Sequence, residues 1–107
     1  MQYTDEFGDT LSTFNEDSVA GIATSNYRWY MSYRTIQDVV KAIGKHRHVV
    51  FNPEPHIEVS LRFEGSYCIY EAFYRESVHT GMKWYQRFLL PPEATRELLQ
   101  FLNPLVQ

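Results

Sequence analysis

Residues 56–103, HIEVSLRFEGSYCIYEAFYRESVHTGMKWYQRFLLPPEATRELLQFLN, decide the reading of this chain. Ile57, Val59, Leu61 and Phe63 alternate with His56, Glu58, Ser60 and Arg62, the period of a half-buried strand. Glu64-Gly65-Ser66 follows as a hairpin turn, with Gly65 supplying positive φ. A two-residue loop, centred on Glu-Gly or on Gly-Ser, puts Cys68, Tyr70, Ala72 and Tyr74 on the core face. It leaves Tyr67, Ile69, Glu71, Phe73 and Arg75 outside. A three-residue loop exchanges the two sets, because a slip of one residue turns every side chain over. The sequence leaves both registers open.

Ser77–Gly81 reads as a second turn and Met82–Leu90 as a third strand. Met82, Trp84, Phe88 and Leu90 face inward around Gln86, while Lys83, Tyr85 and Arg87 face outward. Pro91-Pro92 ends the strand, and Pro92 suits the first turn of a helix. That helix runs to about Leu102, with Ala94, Leu98, Phe101 and Leu102 as its apolar stripe.

Upstream, Asn52-Pro53-Glu54-Pro55 is a stiff connection, read as the boundary between two halves, and Val49–Phe51 is a brief strand before it. Thr35–Ile43 carries the stripe Ile36, Val39, Val40 and Ile43, with Thr35 as N-cap and Gly44 at the C-terminal stop. The run Lys45-His46-Arg47-His48 then lies at the negative end of the helix dipole, which is reason enough for its charge. Alternation over Tyr27–Tyr33 puts Tyr27, Trp29, Met31 and Tyr33 on the core side of a strand and Arg28, Tyr30 and Ser32 on the other.

Residues 1–26 lack strong periodicity. Phe7-Gly8-Asp9 and Asn15-Glu16-Asp17 read as turns and Val19–Thr24 as a short strand. The rest reads as an acidic arm partly ordered by packing of Phe7, Leu11, Phe14 and Ile22. No stretch of the sequence repeats another. The element order predicts one α+β domain, with an antiparallel sheet of about four to five strands and two helices packed on one face.

Composition agrees with a folded domain. Hydrophobic residues make up 44% of the 107, and eight Tyr, seven Phe and two Trp exclude a disordered chain. Cys68 is the single cysteine, so no intrachain disulfide forms and a cytoplasmic, reducing setting is expected. No apolar run approaches the roughly 18 residues of a membrane span, and MQYTDEFGD lacks the basic and apolar regions of a secretory signal. No membrane partner is expected. The net charge of −3 hides an asymmetry. Residues 1–26 hold Asp5, Glu6, Asp9, Glu16 and Asp17 and no Lys or Arg, whereas residues 28–62 hold six basic groups against three acids. The acidic arm is therefore expected to face a basic partner or to cover the protein's own basic patch.

These residues bear on four kinds of site: metal, catalytic, protein-binding and nucleic-acid-binding. His46 and His48 form an H-x-H pair, but with one cysteine and with His56 and His79 far off in sequence, the three or four ligands zinc needs are not assembled. Cys68 on a core face is an inert small apolar group. There is no glycine-rich phosphate loop or nucleophile elbow. No catalytic residue, metal or cofactor is expected, and the chain reads as no enzyme.

Exposed Tyr and Arg are the residue types that concentrate binding energy at protein interfaces. Arg62, Lys83, Tyr85, Arg87, Arg28, Tyr30 and Tyr67 are the candidate partner-binding residues. The expected function is protein binding, as a small stoichiometric binder or inhibitor of a protein partner, including one that itself handles nucleic acid; a homodimer through the aromatic face is a further form. The alternative is a single-stranded nucleic-acid-binding module. There the basic groups of the outer sheet face attract phosphates and exposed rings stack bases, against the opposing charge of Glu58 and Glu71. The sheet-then-helix outline is similar to that of the positive-cofactor-4-like single-strand binders.

Overall fold

Two equal runs of four strands and a helix make up the chain. The computed structural model describes the backbone of residues 1–77 and 81–107, and their side chains apart from those of 76, 77 and 81–83. The first run is β1 (Gln2–Thr4), β2 (Thr10–Glu16), β3 (Val19–Thr24), β4 (Arg28–Tyr30) and α1 (Tyr33–Lys45). The second is β5 (Val49–Glu54), β6 (Ile57–Glu64), β7 (Tyr67–Ser77), β8 (Gly81–Leu90) and α2 (Pro92–Leu102), closed by a 3-10 turn, Asn103–Val106. The strands form two antiparallel sheets, ordered β1-β2-β3-β4 and β5-β6-β7-β8. The α+β class therefore holds, but the single sheet of four to five strands expected from the sequence is replaced by two sheets of four. The short strand expected at Val19–Thr24 is β3, and the residues before it, read as an acidic arm, supply two further strands of the first sheet. Topology repeats where sequence does not.

Local chemistry explains the hairpins. Glu16 pairs with Val19, so the turn is Asp17-Ser18, one residue later than the sequence suggested. Both take positive φ, 51° and 67°, the backbone of a type I′ turn that matches strand twist. Glu54 pairs with Ile57 across Pro55-His56, with His56 at φ 74°. A proline followed by a positive-φ residue is type II turn chemistry. The proline-rich stretch therefore lies inside the β5–β6 hairpin, and the junction between the halves is 46–48 instead. Pro53 is tolerated because β5 is an edge strand and its ladder is irregular between Phe51 and Glu54. Glu64 pairs with Tyr67 across Gly65-Ser66, with Gly65 at φ 60°. The two-residue register is thus the one adopted. Ser77 pairs with Gly81, and the middle of the turn expected there, 78–80, lies outside the described residues, His79 with it.

Helix α1 starts a turn earlier than the sequence implied. Ser32 is the N-cap, its hydroxyl accepting the Thr35 amide at 3.1 Å. At the other end His46, rather than Gly44, takes the left-handed conformation at φ 53°. The Arg47 amide reaches the Ala42 carbonyl at 2.9 Å and the His46 amide reaches Ile43 at 3.4 Å, the paired bonds of a Schellman stop. The His46 ring stacks on Phe63 with centroids 4.6 Å apart, which offsets the cost of positive φ at a residue with a side chain. Tyr33, assigned to the core by alternation, is exposed because the strand ends at Tyr30 and Tyr33 opens the helix.

The inward faces of the sheets share one core with both helices. Leu11, Ile22 and Trp29 from the first sheet meet Val59, Leu61, Tyr70, Phe88 and Leu90 from the second, with Ile36, Val39, Ile43, Ala94, Leu98 and Leu102 from the helices. The contact is partly aromatic. Tyr3 meets Phe88 edge-on at 6.5 Å, Trp29 lies 5.9 Å from Phe51, and Tyr27 lies 5.8 Å from Trp84. Polar tips are satisfied across the layer: Trp29 Nε1 donates to Tyr70 Oη at 3.0 Å, and Tyr27 donates to Glu54 at 2.6 Å. Gln86, also inward, leaves its Oε1 without a partner among the described residues, while its amide nitrogen reaches Ser25 Oγ at 3.4 Å. No helix among the described residues is long and apolar enough to cross a membrane.

Candidate functional site

The two sheets leave two outer faces, and the candidate residues divide between them. On the second sheet, register places Arg62, Ile69 and Leu89 side by side, and Ser60, Glu71 and Arg87 in the next row. Glu71 is the hub of this face. It accepts from Arg62 Nε at 2.8 Å and from the Tyr85 hydroxyl, and Arg62 also donates to Glu64 at 3.0 Å. The Tyr85 hydrogen bond, with the Arg62 bond behind it, holds the Glu71 carboxyl below its ordinary range. Burial and the same bond push the Tyr85 phenol up.

This face is therefore built as a charged canopy over an apolar floor. Ile69 points outward by register and yet is 0% exposed, standing apart from the main core cluster. Its neighbours in register are the long side chains of Arg62 and Leu89. Arg62, held at both ends of its guanidinium by Glu71 and Glu64, serves the canopy as a structural cation whose stem lies beside apolar surface. Arg87 stands beside Glu71 in register, is exposed, and makes no ion pair within 4 Å among the described residues. Tyr67 and Tyr85 expose 48% and 45% of their surface on the same face. The side chain of Lys83 lies outside the described residues.

Arg28 and Tyr30 belong to the outer face of the first sheet. Arg28 is paired with Glu16 and lies 3.9 Å over the Phe14 ring, with Tyr30 packed edge-on against Phe14 at 5.4 Å. The Phe14 ring in turn lies over Gly21, where any Cβ would collide with it and with the Trp29 carbonyl oxygen. This second cluster is compact and shares no residue with the first. The six candidates with described side chains thus fall on two surfaces.

Sequence reasoning missed a third element. The β1–β2 loop carries Asp5, Glu6, Phe7 and Asp9 to the edge of the second sheet, where with Tyr3, Tyr67, Arg87 and Leu89 it encloses a cleft of about 490 Å³. Asp5 shapes the loop by accepting the Phe7 and Asp9 amides at 2.9 Å each. Phe7, expected to pack inside, is 82% exposed at the loop tip, and Leu89 is 47% exposed on the opposite wall. Burial, with Asp5 and Glu6 behind it, pushes the Tyr3 phenol up. The cleft joins residues 3–9 to residues 67, 87 and 89, far apart in sequence, so only tertiary structure reveals it. The sequence signal was an acidic loop around one aromatic, DEFGD.

Reactive groups do not gather here. Cys68 is buried, and burial pushes its thiol pKa up to about 12. Among the described residues no three of His, Cys, Asp or Glu come together as metal ligands would. His46 stacks on Phe63, and His56 occupies a turn. The sequence matches no known protein-family model and no curated protein.

Proposed function

We propose that this chain is a non-enzymatic protein-interaction domain, a small stoichiometric binder or inhibitor that engages its partner through the outer face of the second sheet and the adjoining cleft. One observation carries the reading. Phe7, Tyr67 and Leu89 are all large, exposed and gathered on one cleft beside Arg87. Such clustered apolar exposure, rimmed by charge, is the surface signature of a partner-binding site rather than of ordinary solvated surface.

Charge weighs against single-stranded nucleic acid on the same face. Among the described side chains, the outward cations of β6–β8, Arg62, Arg75 and Arg87, share it with Glu58, Glu64 and Glu71, and two of these carboxylates hold Arg62. Phosphate binding draws its affinity from cations free to displace counterions. The experiment is affinity capture from native host lysate by the wild type, Tyr67→Ala and Arg87→Ala, beside a low-salt titration with a single-stranded oligonucleotide. A stoichiometric protein complex weakened by both variants, with unchanged thermal melting, supports the reading. Capture insensitive to both, or salt-dependent oligonucleotide binding in its place, overturns it. A self-association seen by sedimentation and abolished by Tyr67→Ala would make a second copy the partner.

A further inference from the structure

The cleft between the β1–β2 loop and strand β8 is specific in its chemistry. One wall is apolar: Tyr67 and Leu89, faced by Phe7 across the opening. The loop side carries Glu6 and Asp9, whose carboxylates are not tied into the loop's own hydrogen bonds, unlike that of Asp5. A volume of about 490 Å³ falls within the roughly 300–1,000 Å³ of sites that enclose organic groups. It is too large for an ion and too apolar on one side for a sugar or phosphate.

We propose that this cleft binds a basic peptide segment bearing an apolar anchor. The anchor side chain inserts between Phe7, Tyr67 and Leu89, and a flanking Lys or Arg sits against Glu6 and Asp9. The inference rests on the protein-interaction reading and narrows the partner to a positively charged segment. Charge complementarity selects it, since three carboxylates and one guanidinium surround the opening. An acidic segment would meet like charge on the loop side. A purely apolar one would desolvate Glu6 and Asp9 without giving them a partner, a costly burial. The aromatic walls suit a cation as well, because ring faces attract Lys and Arg. Arg87 opposite the loop can donate to main-chain carbonyls of an extended peptide.

The test uses the full chain and three short synthetic peptides with identical Leu and Phe anchors, flanked by Lys and Arg, by Glu, or by Ser and Gln. Binding is read by fluorescence polarisation and located by amide chemical-shift changes. The basic peptide is expected to bind at least about tenfold tighter than the acidic one, with the difference shrinking as salt is raised. Phe7→Ser is expected to weaken it about tenfold, the scale of a lost aromatic anchor. Glu6→Gln and Asp9→Asn are each expected to weaken it by about threefold, the scale of an exposed ion pair. Phe7 and Glu6 are exposed, so these variants keep the wild-type melting curve.

Equal affinity for acidic and basic peptides, or shifts located away from residues 3–9, 67 and 87–89, overturns the inference. If no peptide binds while host-protein capture still depends on Tyr67 and Arg87, the surface stands and the basic-segment chemistry falls. If capture ignores both residues, the underlying reading falls.

Discussion

Removing one oxygen atom tests how the two halves are joined. In Tyr70→Phe the ring stays and only the hydroxyl that accepts from Trp29 Nε1 at 3.0 Å is lost. Trp29 and Tyr70 are 3% and 1% exposed, so no water replaces the acceptor. A buried donor left without a partner costs about 1–3 kcal/mol. Taking about 1.5 kcal/mol, and about 4–8 °C per kcal/mol for a chain of this size, the melting midpoint falls by roughly 6–12 °C. Trp29→Phe removes the donor and also opens a void, so it costs more than the hydroxyl alone. The double variant is less destabilised than the sum of the two by about 1 kcal/mol, because the second change finds the bond already gone. Urea unfolding of the four proteins, followed by circular dichroism, gives these differences directly. If Tyr70→Phe falls within the roughly 0.5 kcal/mol of an ordinary surface substitution, the cross-sheet bond contributes nothing and the reasoning fails.

Three further outcomes are expected. The Glu71 carboxyl is held below its ordinary pKa in the folded chain, so the folded state binds fewer protons than the unfolded one. Its contribution is complete above the unfolded carboxylate value of about 4.3 and disappears as pH falls through the lower folded value; Glu71→Gln flattens the acid limb of the stability–pH curve, and an unchanged limb refutes this. Gly21→Ala forces a methyl into the Phe14 ring and the Trp29 carbonyl, costing about 1–3 kcal/mol or more. Adding Phe14→Ala does not restore stability, because the backbone oxygen remains; full recovery in the double variant would refute the geometry. Cys68, buried and with its thiol pKa pushed up to about 12, resists alkylation in the native protein and reacts only in denaturant, as mass spectrometry after iodoacetamide will show.

The fold from β6 onward was legible because its strands alternate, Gly65 marks a turn and Pro92 a helix start, whereas the β5–β6 turn at Pro55-His56 was read as a boundary. The first half was not, for physical reasons seen at particular residues. Its β2–β3 turn is Asp17-Ser18, two non-glycine residues at positive φ, which leave no glycine signal. Strand β3 was read as Val19–Thr24 and is found there, but its Gly21 gives no hint that the Phe14 ring lies over it. The inward positions of β2 include Thr13 beside Leu11, so apolar alternation is weak. At the candidate site, the sequence placed Arg62, Tyr85 and Arg87 on one face and the structure agrees. Ile69 shows what alternation cannot express: an outward residue can be fully buried when its register neighbours, here Arg62 and Leu89, are long. The cleft was invisible because Phe7 and Leu89 meet only after the two sheets stack.

Every strand in both sheets hydrogen-bonds only to its neighbour along the chain. That wiring has a kinetic consequence. Each sheet grows from its own hairpins with short loops to close, so strand pairing is fast and independent in the two halves. Neither half hides its inward face alone, since Trp29 and Tyr70 meet across the two sheets in the one shared core. Docking of the finished halves is therefore the late event. Lesions at the Trp29–Tyr70 contact should steepen escape from the native state while leaving the folding limb of the chevron nearly in place, whereas a lesion at Gly65 should slow folding itself.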